Sequence, residues 1–436
     1  MRIYIGNTEI AGYFTRLKDG FDQEGIKADL WFLSSNKFYK DQMGPIVKLN
    51  QILFRWYKET SGLKGKLLKY LLLPFVVMLK TSILCFVIFR YDVFILNSHA
   101  YFNFYELGVL KFFKKKIIFV CLGTESRPLY MSGNFIMSRY VQNGQWLYEK
   151  CYKEVEEQKQ QMERIEKYAD VVINHPPTAL FHAKPFVSWL NIGFPCGQMP
   201  TNSLMREERS RIVKILHAPS NAVSKGSIEI EAMVGKLKSQ GYPVEFIKLQ
   251  NVPNEKVIEI IKDCDIVVDE LYSDIPLGGL GTEASVAGKP VLSAGYYANC
   301  IYKEHSEDIV PPSLFCHPDY LESELIQLVT DRGKRLEYGA MNASFVKKNW
   351  NNRAVAQKYL LIIKGEVPSK WYFHPENIKC VHGYGMQEDR LKRFIQGYID
   401  AMGEDALFLN HNPAVKLKLK GFLQQNRLAL HERPVS

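Results

Sequence analysis

The chain has no Cys-x-x-Cys pair, no His-Glu-x-x-His, no Gly-x-x-x-x-Gly-Lys-Ser/Thr loop and no Gly-x-Ser-x-Gly turn. These absences exclude the common zinc-knuckle spacings, the zinc-protease helix, the P-loop and the serine-hydrolase elbow. A dinucleotide fingerprint is missing too, because Gly6 and Gly12 are spaced too loosely for Gly-x-Gly-x-x-Gly. The eight cysteines (Cys85, Cys121, Cys151, Cys196, Cys264, Cys300, Cys316, Cys380) lie far apart, several within apolar runs. There a thiol packs as a small hydrophobe, so neither a disulfide framework nor a metal knuckle is expected, and a reducing compartment is. The opening MRIYIGNTEIAG carries too short an apolar run for a secretory signal and reads as a first strand. A cytoplasmic protein is the expectation.

What is present is ordinary globular material. Hydrophobic residues make up 47% and charged residues 23% of 436 positions, which excludes a disordered chain and points to two domains. A formal charge of +10 suits an anionic partner. Lys and Arg are spread rather than clustered with stacking aromatics, which argues against nucleic acid. A phosphorylated small molecule or an acidic membrane face remains.

Tyr70 to Phe89 (YLLLPFVVMLKTSILCFVIF) is almost wholly apolar and about as long as a membrane span. Pro74 and Lys80 interrupt it, and the strand-like Tyr91–Asn97 follows at once. A helix buried inside an α/β domain is therefore expected. Lys64, Lys66 and Lys69 precede the run, which also allows peripheral contact at the inner face of an anionic membrane.

Strands alternate with helices along most of the chain, the pattern of a mostly parallel sheet. A βαβ unit opens the sequence: strand Arg2–Ile5, helix Tyr13–Glu24 with Phe14, Leu17 and Phe21 on one face, strand Ala28–Leu33. Further strands are read at Asp92–Leu96, Lys116–Cys121 and Asp170–Asn174. After the polar, Pro-bearing stretch around 196–211 a second series begins at Ile212–His217 and runs through Val244–Leu249, Ile266–Asp269 and Pro290–Ser293. Helices are read at Ser227–Gln240, Asn254–Asp263, Thr282–Ala287, Tyr320–Leu328, Arg332–Asn349, Arg353–Lys364 and Glu388–Met402.

Three loops after strands are placed for chemistry, since open parallel sheets bind ligands beyond the carboxyl ends of their strands. Ala218–Gly226 (APSNAVSKG) offers Ser220, Asn221 and Lys225 ahead of a helix start, a combination able to hold a diphosphate. The stretch Asp269 to Glu283 (DELYSDIPLGGLGTE) joins acids to a glycine-rich turn that opens a helix. There Gly278 and Gly279 let backbone approach a phosphate or sugar closely, and Glu283 can accept from vicinal hydroxyls. The third loop, Gly123-Thr-Glu125-Ser-Arg127-Pro128, pairs a carboxylate with a guanidinium and is a candidate for a polar acceptor. Asp263-Cys264-Asp265 has the spacing of a cation-binding pair but bridges a helix end and a buried strand start, so no metal is expected there.

At these residues the sequence resembles a family. ILHAPSNAVSKGS followed by CDIVVDELYSDIPLGGLGTEASVAGKPVLS is similar to the nucleotide-sugar domain of GT-B glycosyltransferases of the large "group 1" (retaining) family. WNNRAVAQKYLLIIKG resembles the late helix by which that fold returns to its first domain, and YDVFILNSH, KKIIFVCLGTESRP and VSWLNIGFP resemble its middle strands and crossing. The resemblance implies two Rossmann-like domains with parallel sheets facing across a cleft, plus a helical C-terminal extension. Its segments are an acceptor-binding domain over 1–195, a linker over 196–211, a nucleotide-sugar domain over 212–352, and a crossing helix with extension over 353–436.

Carried over by residue, the resemblance implies donor contacts from Lys225, Gly278, Gly279, Leu280 and Glu283, with Ser220 and Asn221 added as donor candidates by the loop reading. A UDP- or GDP-sugar is the expected substrate, with no cofactor, and no metal is needed if those donors carry the diphosphate charge. Lys225 would meet the diphosphate and Glu283 the ribose. The first glutamate of the family's pair falls on Ile275, leaving Asp274 or Glu270 to serve; the family's phosphate-binding Arg falls on Pro219. The first-domain histidine falls on Leu122, with His99 after the neighbouring strand. Gly12, Glu125 and Arg127 are the acceptor-side candidates. The expected activity is transfer of a sugar to a glycan or lipid-linked acceptor, as in cell-surface polysaccharide synthesis. The rivals are a nucleotide-sugar epimerase on the same fold and a catalytically silent partner subunit.

Overall fold

The computed structural model describes residues 1–32, 48, 63–98, 104–197 and 212–431. His99 and most of the 196–211 stretch lie outside them. In chain order the strands are β1 Arg2–Asn7, β2 Lys27–Phe32, β3 Val93–Leu96, β4 Lys116–Val120, β5 Val141–Gln142, β6 Gln145–Trp146, β7 Val171–Asn174, β8 Phe186–Ser188, β9 Val213–His217, β10 Val244–Lys248, β11 Ile266–Leu271, β12 Val291–Ala294, β13 Leu314–Cys316 and β14 Tyr372–Phe373. They form a seven-stranded sheet ordered β14-β8-β7-β4-β3-β1-β2, a five-stranded sheet ordered β10-β9-β11-β12-β13, and the small β5–β6 hairpin. Both large sheets are parallel except where β14 runs antiparallel to β8. β3 (VFIL), β7 (VVIN) and β11 (IVVDEL) are buried at every position, because helices cover both faces of a parallel sheet.

The helix Tyr13–Gln23 shows how the halves are joined. Tyr13, Phe14, Leu17, Gly20 and Phe21 are buried, the 1-4-7-8 spacing of one helical face. That face receives the late helix Asn352–Lys364: Tyr13 and Tyr359 hydroxyls lie 3.0 Å apart, and Gly20 has no side chain because the Asn352 carbonyl fills the space. β14 then enters the first sheet and the helices Glu388–Met402 and Pro413–His431 pack on the first half. The C-terminal tail is thus part of the first half's core.

Three expectations need correction. The apolar run forms the helix Leu63–Arg90, but it is not a buried helix. Ile83, Leu84, Val87 and Ile88 reach the core, whereas Leu73, Phe75, Val77, Met78, Phe86 and Phe89 are exposed. By length and composition Leu73–Arg90 is apolar enough to cross a membrane. Second, Cys300 and Cys380 are cross-linked, with Cα atoms 6.2 Å apart. Eighty residues and the crossing helix separate them, so no spacing motif announced the pair. Third, the helix read from Thr282 starts at Gly279, which makes the glycines its first turn rather than a loop before it. Asp263 and Asp265 are spoken for by Lys214: its ammonium lies 2.6 Å from Asp263 and its amide donates to Asp265 at 2.8 Å.

A Cβ at Gly20 would collide with the Asn352 carbonyl and stand 2.9 Å from Ala356 Cβ. Gly20→Ala is expected to cost about 1–3 kcal/mol by overpacking, read as a lower denaturation midpoint in urea. Gly25→Ala, with nothing within 4 Å but φ +70°, separates backbone strain from this clash.

Candidate functional site

In the five-stranded sheet the chain leaves β9 towards β10 on one side and passes to β11 on the other. The crevice between such strands, beyond their carboxyl ends, is where an open sheet takes a ligand. The loop after β9 is folded by Asn221, whose Oδ1 accepts from the Val223 and Ser224 amides at 3.0 and 3.1 Å. That fold returns Lys225 to the end of β11. Gly226, at φ 62°, follows because a Cβ there would press on Leu271.

β11 ends in two buried acids with separate tasks. Asp269 Oδ2 accepts from the amides of Gly278 and Gly281, both at 3.0 Å, so it caps the helix Gly279–Val286 from a neighbouring strand. Its Oδ1 lies 3.3 Å from Lys225 Nζ. Glu270 Oε1 lies 3.5 Å from the same ammonium, and Oε2 accepts from the Tyr384 hydroxyl at 3.1 Å. Burial works against the Lys225 charge, but Asp269 and Glu270 outweigh it and hold the pKa above that of an ordinary lysine. Burial raises Glu270, with Lys225 pulling down and Asp269 pushing further up.

Glu283 stands one turn into the helix and is buried. Its carboxylate takes Arg16 from the first half as an ion pair and Asn254 Nδ2 at 3.1 and 3.0 Å. Around it lies a cleft of about 330 Å³ between the halves. Ser220, Lys225, Gly279, Leu280 and Glu283 line it on one side; Glu9, Ile10 and Ala11 line it on the other. Leu249, Val252 and Val257 give it an apolar end beside Asn251 and Asn254. The Gly279 and Leu280 amides occupy the first helical turn, where no intrahelical acceptor exists. Glu9 is a cap in its own right, accepting from the Phe14 and Thr15 amides at 3.2 and 2.9 Å. Gly12, at φ 75°, is the N-cap residue of the same helix and does not line the cleft. Its neighbour Ala11 touches the second half so closely that a Cβ on Gly279 would sit 2.9 Å from Ala11 Cβ.

The other sequence candidates sit outside this cleft. Asn221 Nδ2 reaches Asn134 of the first half at 3.1 Å. The Gly278 amide is already given to Asp269. Asp274 is buried and forms an ion pair with Arg127 across the halves, while its carbonyl meets His175 Nε2 at 2.9 Å. The Arg127 guanidinium rests over the Tyr384 ring at 4.8 Å, and burial lowers its pKa to about 10. Burial, then His305 and Arg127, keep His175 well below the usual imidazole range, so it is neutral. Glu125 opens on a separate first-half cavity of about 440 Å³ shared with Asn97, Arg139, Glu154, Glu157 and Gln158; burial raises its pKa.

Arg16, Asn254 and Tyr384 were not singled out from sequence. Arg16 and Asn254 look like ordinary surface residues until the halves are packed. Tyr384 left a trace: it lies between Gly383 and Gly385, and a tyrosine flanked by glycines marks a backbone in close quarters. Its amide donates to Met131 O at 3.1 Å and its carbonyl accepts from Gly133 at 2.8 Å, while Gly385 donates to Tyr272 O at 3.2 Å. The tail therefore threads between both halves.

No family model and no curated protein matches the chain. Among solved structures, the UDP-forming α,α-trehalose-phosphate synthase of Burkholderia xenovorans, in complex with glucose-6-phosphate, superposes with TM-score 0.50 at 10% identity, over 84% of this chain and 100% of that one. HepE of Anabaena, in complex with UDP and glucose, gives 0.44 at 10% identity over 83% and 99%. A putative UDP-N-acetylglucosamine 2-epimerase of Listeria monocytogenes gives 0.39 at 10% identity over 84% and 95%. The architecture is the GT-B fold, two Rossmann-like halves across a cleft with a helical C-terminal region.

Proposed function

We propose that the protein is a glycosyltransferase that takes the sugar of a UDP- or GDP-sugar and passes it to a hydroxyl of a glycan or lipid-linked acceptor held by the first half. The observation that carries this reading is the single cleft shared by Lys225, the first-turn amides of Gly279 and Leu280, and Glu283. An ammonium and two aligned amides at a helix start form a diphosphate site. A carboxylate one turn on suits paired ribose hydroxyls, and Leu249, Val252 and Val257 suit the base.

As the bond from sugar to diphosphate breaks, negative charge grows on the leaving phosphate. Lys225 and the two amides would stabilise it from fixed positions, and Asp269 is what fixes them. Ribose hydroxyls would replace Arg16 as donors to Glu283, so that its buried carboxylate keeps partners throughout. The cavity around Glu125, lined by carboxylates and amides with one arginine, suits a hydroxyl-rich acceptor better than a phosphorylated one. Retention of configuration follows only from the family resemblance.

Three measurements test this. Millimolar UDP or GDP is expected to raise the melting temperature of the wild type by a few degrees, as a native-state ligand does. Lys225→Met should weaken that binding by about ten-fold or more, and Glu283→Ala should weaken nucleotide binding while leaving pyrophosphate binding unchanged. No shift with any nucleotide would overturn the reading. Tyr384→Phe removes the hydroxyl on Glu270 and should lower turnover more than nucleotide affinity. Epimerised nucleotide sugar formed without acceptor would identify an epimerase instead. Separately, Arg127→Met strands Asp274 in the interior and should cost about 3–5 kcal/mol in denaturant unfolding, part of it recovered by adding Asp274→Asn.

A further inference from the structure

Exposed apolar side chains gather on two neighbouring helices of the first half, around a groove that shares no lining residue with the donor cleft. Along the helix Leu63–Arg90, Phe75, Met78, Phe86 and Phe89 face outward, Phe89 with 80% of its surface exposed. Beside it the short helix Glu106–Phe112 presents Tyr105, Val109 and Phe112, the last 81% exposed, followed by Phe113. The rings bridge the two elements: Phe89 and Phe113 centroids are 5.9 Å apart, Phe112 and Phe113 5.3 Å. Between them runs an apolar groove of about 490 Å³ floored by Leu84, Ile88 and Val109. A contiguous patch of this kind marks an interaction surface rather than scattered surface hydrophobes.

The charge around the patch says what it meets. Arg90, Lys111, Lys114 and Lys115 border it where the two helices hand over to β3 and β4. Among the described residues, Asp29 and Asp170 answer two of them, at 3.7 Å from Arg90 and 2.6 Å from Lys111. Aromatic rings ringed by cations fit the interface of an anionic bilayer, where rings enter the headgroup boundary and ammonium groups meet lipid phosphate. A second copy fits poorly, because a two-fold contact would set the same basic rim against itself. The helix does not leave the domain to span the bilayer: Ile83, Leu84, Val87 and Ile88 are locked among Tyr4, Tyr91 and Phe94.

We infer that this two-helix face seats the protein peripherally on an anionic membrane leaflet, with Phe89, Phe112 and Phe113 inserted and Lys114 and Lys115 on the phosphates. The inference does not depend on the donor-site reading, because vesicle binding needs no nucleotide.

Flotation of the full chain with phosphatidylglycerol-containing vesicles, against phosphatidylcholine vesicles alone, tests it. Binding is expected to the anionic vesicles and to weaken with added salt. Phe89→Ser/Phe112→Ser and Lys114→Glu/Lys115→Glu should each reduce it by about ten-fold or more, with unchanged melting curves, since Phe89, Phe112 and Lys114 are exposed and Lys115 is only half-buried. Absence of wild-type binding overturns the inference, as does equal binding by both variants. Concentration-dependent dimerisation abolished by the aromatic variant would assign the face to a second copy and overturn it too.

Discussion

The Asp269 carboxylate is the constraint on which the second half's site rests. One oxygen gathers the Gly278 and Gly281 amides, the other faces Lys225. Because Asp269 is fully buried, losing any of these partners would leave a desolvated charge, which is costly. The turn, the helix start and the lysine therefore move as one unit. The arrangement also explains the glycines. Gly278 and Gly281 have no room for a Cβ beside Asp269 Oδ2, which would stand 2.9 and 2.7 Å away. Between these two amides lie Gly279 and Leu280, which line the cleft.

A second constraint acts between the halves. Arg16 with Glu283, the arginine half-buried, and Arg127 with Asp274, both buried, pair one half with the other. Buried pairs contribute little net stability over apolar contacts, yet breaking one is expensive. They act less as glue than as a register, admitting one relative placement of the halves. Tyr384 belongs to the same device, since its ring carries Arg127 and its hydroxyl meets Glu270. The tail that delivers it is pinned at Cys380 to Cys300.

The alternation of the two sheets was legible because their strands are covered on both faces and read as apolar runs. Asn254–Asp263, Arg332–Asn349 and Glu388–Met402 came out with the bounds expected, each carrying clear helical spacing or a charged start. β8, β13 and β14 did not, being two or three residues long and held by their neighbours rather than by propensity. The burial of Leu63–Arg90 was misjudged for a different reason. Its apolar residues occupy both faces, and composition cannot say which face the domain covers. Within the candidate site, the local signals named Lys225 and Glu283, and both line one cleft. The partners from far along the chain, Arg16 and Tyr384, carry no local signal strong enough to name them.

These constraints bear on how a ligand would enter. Glu283 holds Arg16 and Asn254 while the halves are in contact, and Ala11 of the first half stands against Gly279 of the second. In the proposed reading a nucleotide cannot reach Glu283 until Arg16 yields. Two ribose hydroxyls supply the donors that Arg16 withdraws, so the exchange is close to balanced for the carboxylate. The incoming diphosphate is itself an anion of the kind a guanidinium pairs with. Opening of the cleft and capture of the donor would thereby be coupled through the Arg16–Glu283 pair.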